Sequence, residues 1–228
     1  MHSLESLGNK FQHLTTAFAA HADSDRAVQQ KAYMRGQFEF YGLASKTRRD
    51  VQKPFVKEAL ALPDTEFKDW CRAGWADPHR ECQLTIVDAL IKRAKKMDES
   101  YFDLIEEFII TKSWWDTVDF LSGTIFGVLF KSFPEQIAPR TDRLIHSDNI
   151  WENRSAILFQ LKYKEAMDVA LLEQFITIKK HDPEFFIQKA IGWMLRTLSK
   201  FDPESVKAIL ARHPELSGLA KREASKYL

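Results

Sequence analysis

Ile150-Trp151-Glu152-Asn153-Arg154-Ser155-Ala156 aligns with Phe185-Phe186-Ile187-Gln188-Lys189-Ala190-Ile191 at an offset of 35 residues, and the same step backward from Arg154 lands on Asp119. A period of about 35–45 residues belongs to helical solenoids of the HEAT or armadillo type, whose helix pairs bury their apolar faces by stacking on neighbours. The offset predicts helices starting near Ser113, Asn149 and Pro183 at equivalent places in successive pairs. In such an array equivalent positions line up along one surface. Asp119, Arg154 and Lys189 are then expected to form a polar row on a concave face. A plainer reading stands beside it, in which Trp151 and Trp193 are core and the charges only fringe a groove.

The rest of the chain agrees with helices. Apolar residues recur at helical spacing in Ile86, Leu90 and Ala94, in Phe102, Ile105 and Phe108, and in Ile157, Leu158 and Leu161,. Leu62-Pro63-Asp64, Asp77-Pro78, Phe133-Pro134, Asp182-Pro183, Asp202-Pro203 and His213-Pro214 mark the breaks, most of them with Pro in a first helical turn,. No alternating segment competes. The expected fold is all-α, a single-domain solenoid of antiparallel helix pairs over residues 1–228.

Composition excludes several classes. With 8 Gly and 8 Pro in 228 residues, there is little material for a turn-rich β fold,. No apolar run approaches the roughly 18 residues of a membrane span, and Met1-His2-Ser3-Leu4-Glu5 lacks a signal-peptide profile,. Cys71 and Cys82, 11 apart and without metal-ligand spacing, read as thiols of a reducing compartment,. A cytoplasmic protein is expected. The net charge of +1 hides an asymmetry: from Lys179 onward ten Lys/Arg face six Asp/Glu. That excess suits phosphate binding, or solvated helix faces.

Ser113-Trp114-Trp115-Asp116-Thr117-Val118-Asp119 carries the chemistry. Ser113 with Asp116 reads as a capping-box-like helix start, and Trp114 joins Val118, Leu121 and Ile125 on an apolar stripe. Trp115 and Asp119 are four apart and share a second face,. A carboxylate beside an indole suits recognition of a cation, or of positive charge developing in a reaction.

Together, residues 111–119, Ser147-Asp148-Asn149-Ile150-Trp151, residues 154–163, residues 184–193 and the earlier Tyr33-Met34-Arg35-Gly36-Gln37-Phe38-Glu39-Phe40-Tyr41-Gly42 resemble the AlkD-like DNA alkylation repair family. The resemblance runs in family order from about residue 30 to Leu228. It implies a single domain of HEAT-like helix pairs acting as a glycosylase on alkylated purines in double-stranded DNA, without conventional base flipping. By resemblance Asp119 is the catalytic aspartate, and Trp115 and Trp193 flank the scissile nucleotide. Arg154 supports the site and contacts the DNA backbone, and Tyr33 lines the same cleft. Lys189 and Arg196 are assigned phosphate contacts by position.

Alkylation at N3 or N7 leaves the purine cationic and already a good leaving group. One carboxylate then suffices to stabilise an oxocarbenium-like sugar and place a water, where glycosidases use a pair. The expectation is a monofunctional hydrolase without a lyase step, because no lysine adjoins Asp119 in sequence; Lys112 is nearest and precedes the helix. No metal, cofactor or membrane partner is expected, and the protein is expected to be a monomer. The competing readings are a non-catalytic HEAT-repeat protein that binds DNA structures, and a protein scaffold with no nucleic-acid role.

Overall fold

The computed structural model describes residues 2–228, with side chains from Phe11 onward. The reading of residues 1–5 for a leader profile rests on side chains outside the described residues. The chain divides into two compact units, residues 1–93 and 94–228. The first holds α1 (His2–Ala19), α2 (Ser24–Tyr33), α3 (Ser45–Ala59), α4 (Asp64–Ala76) and α5 (Arg80–Arg93). The second holds α6 (Tyr101–Ile110), α7 (Trp115–Phe120), α8 (Gly127–Ser132), α9 (Ile137–Ile145) and α10 (Ile150–Leu158). It continues with α11 (Val169–Lys179), α12 (Phe185–Leu198), α13 (Pro203–Arg212) and α14 (Gly218–Ala224). Apart from an isolated bridge between Glu39 and His79, the described residues form no β structure. The protein is all-α. Among the described residues no helix is long and apolar enough to cross a membrane.

The 35-residue period is written into the backbone. Helices α5, α7, α10 and α12 begin at residues 80, 115, 150 and 185, each 35 after the last. Three of them carry the same device. The side-chain amide of Gln83 donates to the carbonyls of Gly74, Trp75 and Asp77. Asn153 does so to Leu144, Ile145 and Ser147, and Gln188 to Lys179, Lys180 and Asp182. In each case the acceptors lie nine, eight and six residues earlier. The carbonyls left open where one helix ends are thereby tied to the start of the next, which sets the turn inside the repeat. Asn153→Ala strips that donor from a buried turn and should cost about 1–3 kcal/mol, read as a lower urea midpoint. An unchanged midpoint would show that the amide does not hold the turn.

Caps start the helices where the sequence places them. Asn149 accepts from the Trp151 amide at the head of α10. Asp202 accepts from the Ser205 amide, with Pro203 as the first residue of α13. The α12 helix starts at Phe185 rather than Pro183, because Glu184 is still extended. Burial then assembles the second unit. Phe102, Phe126, Phe130 and Phe159 form a chain of tilted and edge-on rings with centroids 4.9–5.8 Å apart. The α10 helix sits against α6, α9 and α12, and α12 against α14.

Between α7 and α8 the helix widens into a π-helical stretch, Leu121–Phe126. Gly123 within it and Gly127 just after it lie where a Cβ would come within 3.0 Å of the Leu161 side chain and 2.8 Å of the Phe159 carbonyl oxygen, respectively. The absence of side chains lets this helix press against residues 158–161. Wide turns of this kind recur beside functional sites, and this one begins two residues after Asp119.

Candidate active site

The α7 helix differs from its repeat equivalents at the position of the amide. Val118 stands where the others carry Gln83, Asn153 or Gln188, and it cannot donate. The Ile109 carbonyl, nine residues back, instead accepts from the Ser113 hydroxyl at 2.6 Å. Ser113 is therefore turned away from α7 and is not its N-cap, contrary to the capping-box reading. Trp114 is the last extended residue (φ −160°, ψ 159°), and the helix starts at Trp115. Lys112 takes a left-handed φ of 47° in the same turn, a conformation that costs a non-glycine residue free energy.

This start divides the residues by face. Val118, Leu121 and Ile125 are fully buried. Trp114 is only half-buried, and its indole packs on Trp151 and Phe186 with centroids 5.7 and 5.4 Å away. Trp151 belongs to the core, as the plainer reading had it. Asp116 is buried in the first turn of α7, where the positive end of the helix favours an acid.

Trp115 and Asp119 face the other way, into a cavity of about 300 Å³. Arg154 from α10 and Phe185, Phe186, Lys189, Trp193 and Arg196 from α12 complete its lining. At its centre Arg154 grips Asp119 through two parallel hydrogen bonds, Nε to Oδ1 at 2.7 Å and Nη2 to Oδ2 at 2.9 Å. The third arm, Nη1, donates to the Phe186 carbonyl at 2.5 Å. The Arg154 side chain is 3% exposed and Asp119 16%. Burial pushes the Asp119 carboxyl above the ordinary aspartate range; Arg154 pulls it back, and nearby Asp116 pushes it up again. The fork keeps the carboxylate charged in a setting where an unpaired charge would not persist.

Arg154 is thus a partner of Asp119, with three of the five guanidinium N–H groups engaged inside the protein,. The DNA-backbone contact that the resemblance implies would have to come from the remaining N–H groups of a side chain that is only 3% exposed. Lys189 and Arg196 are the outward cations of the rim. Both are held by Glu223 of α14, whose Oε1 accepts from Lys189 Nζ at 2.8 Å and whose Oε2 accepts from Arg196 Nη1 at 2.6 Å. The cavity therefore does contain a lysine, the one that the 35-residue offset aligns with Asp119 and Arg154. Lys189 is 37% exposed and paired with an acid, whereas a Schiff-base lysine is a desolvated amine or one beside another cation.

Much of the basic charge after Lys179 is met by acids, largely at the surface. Lys180 pairs with Glu215, Arg212 with Glu173 and Lys207 with Glu204. Tyr33 ends α2 in the first unit and is 72% exposed; the cavity just described is built from the second unit. Phe185 and Glu223 joined the site unannounced. Phe185 has a sequence signal, as an apolar residue in the first turn of a repeat helix, but Glu223 has none.

The chain matches the family model described as DNA alkylation repair enzyme over residues 14–228. A solved structure described as "Predicted DNA alkylation repair enzyme from Enterococcus faecalis" superposes with a TM-score of 0.85 at 30% identity, covering 91% of this chain and 96% of that one. No curated protein matches.

Proposed function

The chain belongs to the DNA alkylation repair enzyme family, and from that premise we propose that it is a monofunctional glycosylase that hydrolyses the N-glycosidic bond of cationic N3- or N7-alkylpurines in duplex DNA. One observation carries the reading. A single carboxylate, Asp119, is held by a buried arginine fork in a cavity walled by two tryptophans and two phenylalanines, with no second acid among the lining residues.

An alkylated purine leaves as a neutral base without protonation, so a general acid has nothing to do. As the bond breaks, the sugar becomes oxocarbenium-like. Asp119 lies ready to stabilise that charge and to orient the water that adds to the anomeric carbon, the water's proton passing to solvent or to the carboxylate. The carboxylate needs no reorganisation, because Arg154 already fixes both oxygens. Indole faces attract cations by about 0.5–2 kcal/mol each, depending on desolvation. Trp115 and Trp193 are accordingly assigned to the lesion and its sugar.

The test is release of free base from N7-methylguanine or N3-methyladenine duplexes above spontaneous depurination. DNA binding without release would turn the reading to the non-catalytic alternative. Trp115→Ala and Trp193→Ala should each slow single-turnover release by about 3- to 30-fold while leaving the fold intact. A rate unchanged in both would remove the tryptophans from the chemistry. Strand cleavage without added base would add a lyase step and point to Lys189.

A further inference from the structure

We propose that Glu223 is a positioning residue that sets the charge of the cavity's cationic rim, so that the same site attracts DNA phosphates yet admits a cationic base. The proposal rests on the glycosylase reading for its second half only.

Lys189, Trp193 and Arg196 lie four and then three residues apart on α12 and present one face to the cavity,. Two cations on that face would repel both a cationic purine and an oxocarbenium-like sugar. Glu223 answers this from behind. Its carboxylate accepts from Lys189, Arg196 and Lys226 at 2.8, 2.6 and 2.9 Å. The acid is 8% exposed, while the three cations are 37%, 25% and 49% exposed. The negative charge is inside and the positive groups point out. The cations hold the Glu223 carboxyl down at about 2, so it is charged wherever the protein works.

The packing that brings Glu223 there is specific. A Cβ on Gly192 would lie 2.6 Å from the Glu223 Cβ and 2.9 Å from the Ala220 carbonyl oxygen. Only glycine lets α14 approach α12 this closely, one residue from Trp193. Oε1 holds Lys189 and Oε2 holds Arg196, so both cations of this helix face are tied to one carboxylate.

Glu223→Gln keeps the shape and removes the charge. Binding to undamaged duplex should tighten about fivefold at low salt, with a salt dependence steeper by up to about one phosphate contact. Single-turnover release of N7-methylguanine at saturating enzyme should slow by about tenfold, since positive charge beside the reacting centre is no longer offset. Glu223→Asp keeps the charge and should retain the wild-type salt slope even where its melting temperature falls as far as that of Glu223→Gln. The opposite pairing of binding and rate is the signature. A merely structural glutamate would weaken binding and slow release together in both variants, and that result overturns the proposal, as does a Glu223→Gln salt slope equal to wild type. If the wild-type protein releases no base, the glycosylase reading fails, while the binding arm still decides what Glu223 does.

Discussion

Replacing Asp119 by Asn is expected to lower single-turnover base release by about 10²–10³-fold, the usual cost of removing one preorganised electrostatic group, with little change in affinity for undamaged duplex. Asparagine keeps the shape and one acceptor for Arg154, but it carries no charge to set against a cationic sugar. Equal release by the variant and wild type would leave the activity and remove Asp119 from it. The same carboxylate gives the reaction an acid limb. Because burial raises its pKa despite Arg154, the ionised form is lost as pH falls through a value above the ordinary aspartate figure of about 3.9. Release, corrected for spontaneous depurination, should therefore fall with acid earlier than an exposed aspartate would allow, and level off above that limb. A rate that holds its neutral value down to the ordinary range would contradict the assignment.

Arg154→Ala should be the most damaging substitution for the fold. It deletes the fork on Asp119 and the donor to the Phe186 carbonyl, leaving a buried carboxylate alone. Breaking a buried pair from one side costs about 3–5 kcal/mol, visible as a large loss in urea midpoint. The remaining carboxyl loses the group that pulled its pKa down, so the pKa rises further. With a raised folded-state pKa, stability is lost as pH rises through it, and the defect of the variant should shrink toward acid pH. Its acid limb of activity should move upward. Arg154→Lys restores charge without the fork and should recover only part of both. Undamaged-duplex affinity should stay near wild type, because the Arg154 side chain is 3% exposed. Loss of that affinity with an intact rate would restore the backbone-contact role.

Much of this arrangement can be read without coordinates, and the legible part is of one kind. Trp115 and Asp119 share a face because both sit on one helix, and helical geometry is local. Asp119, Arg154 and Lys189 share a cavity because each follows a helix start by the same number of residues. The capping of α7 departs from what the spacing predicts for a reason equally local in appearance. Ser113 looks like a cap by its spacing to Asp116, but its hydroxyl answers a carbonyl that Val118, unlike Gln83, Asn153 and Gln188, leaves without a donor.

The sequence alone determined the helix class, the 35-residue period and the identity of the face that carries the carboxylate and the indoles. Only the tertiary structure decided what each charge is for. Arg154 turns inward to Asp119 because α7 and α10 pack closely enough for a fork at 2.7 and 2.9 Å. Glu223, 34 residues from Lys189, reaches the rim because Gly192 lets two backbones approach. Periodicity fixes direction around a helix axis, whereas the partner of a charge depends on distance and desolvation, and those arise only when helices pack.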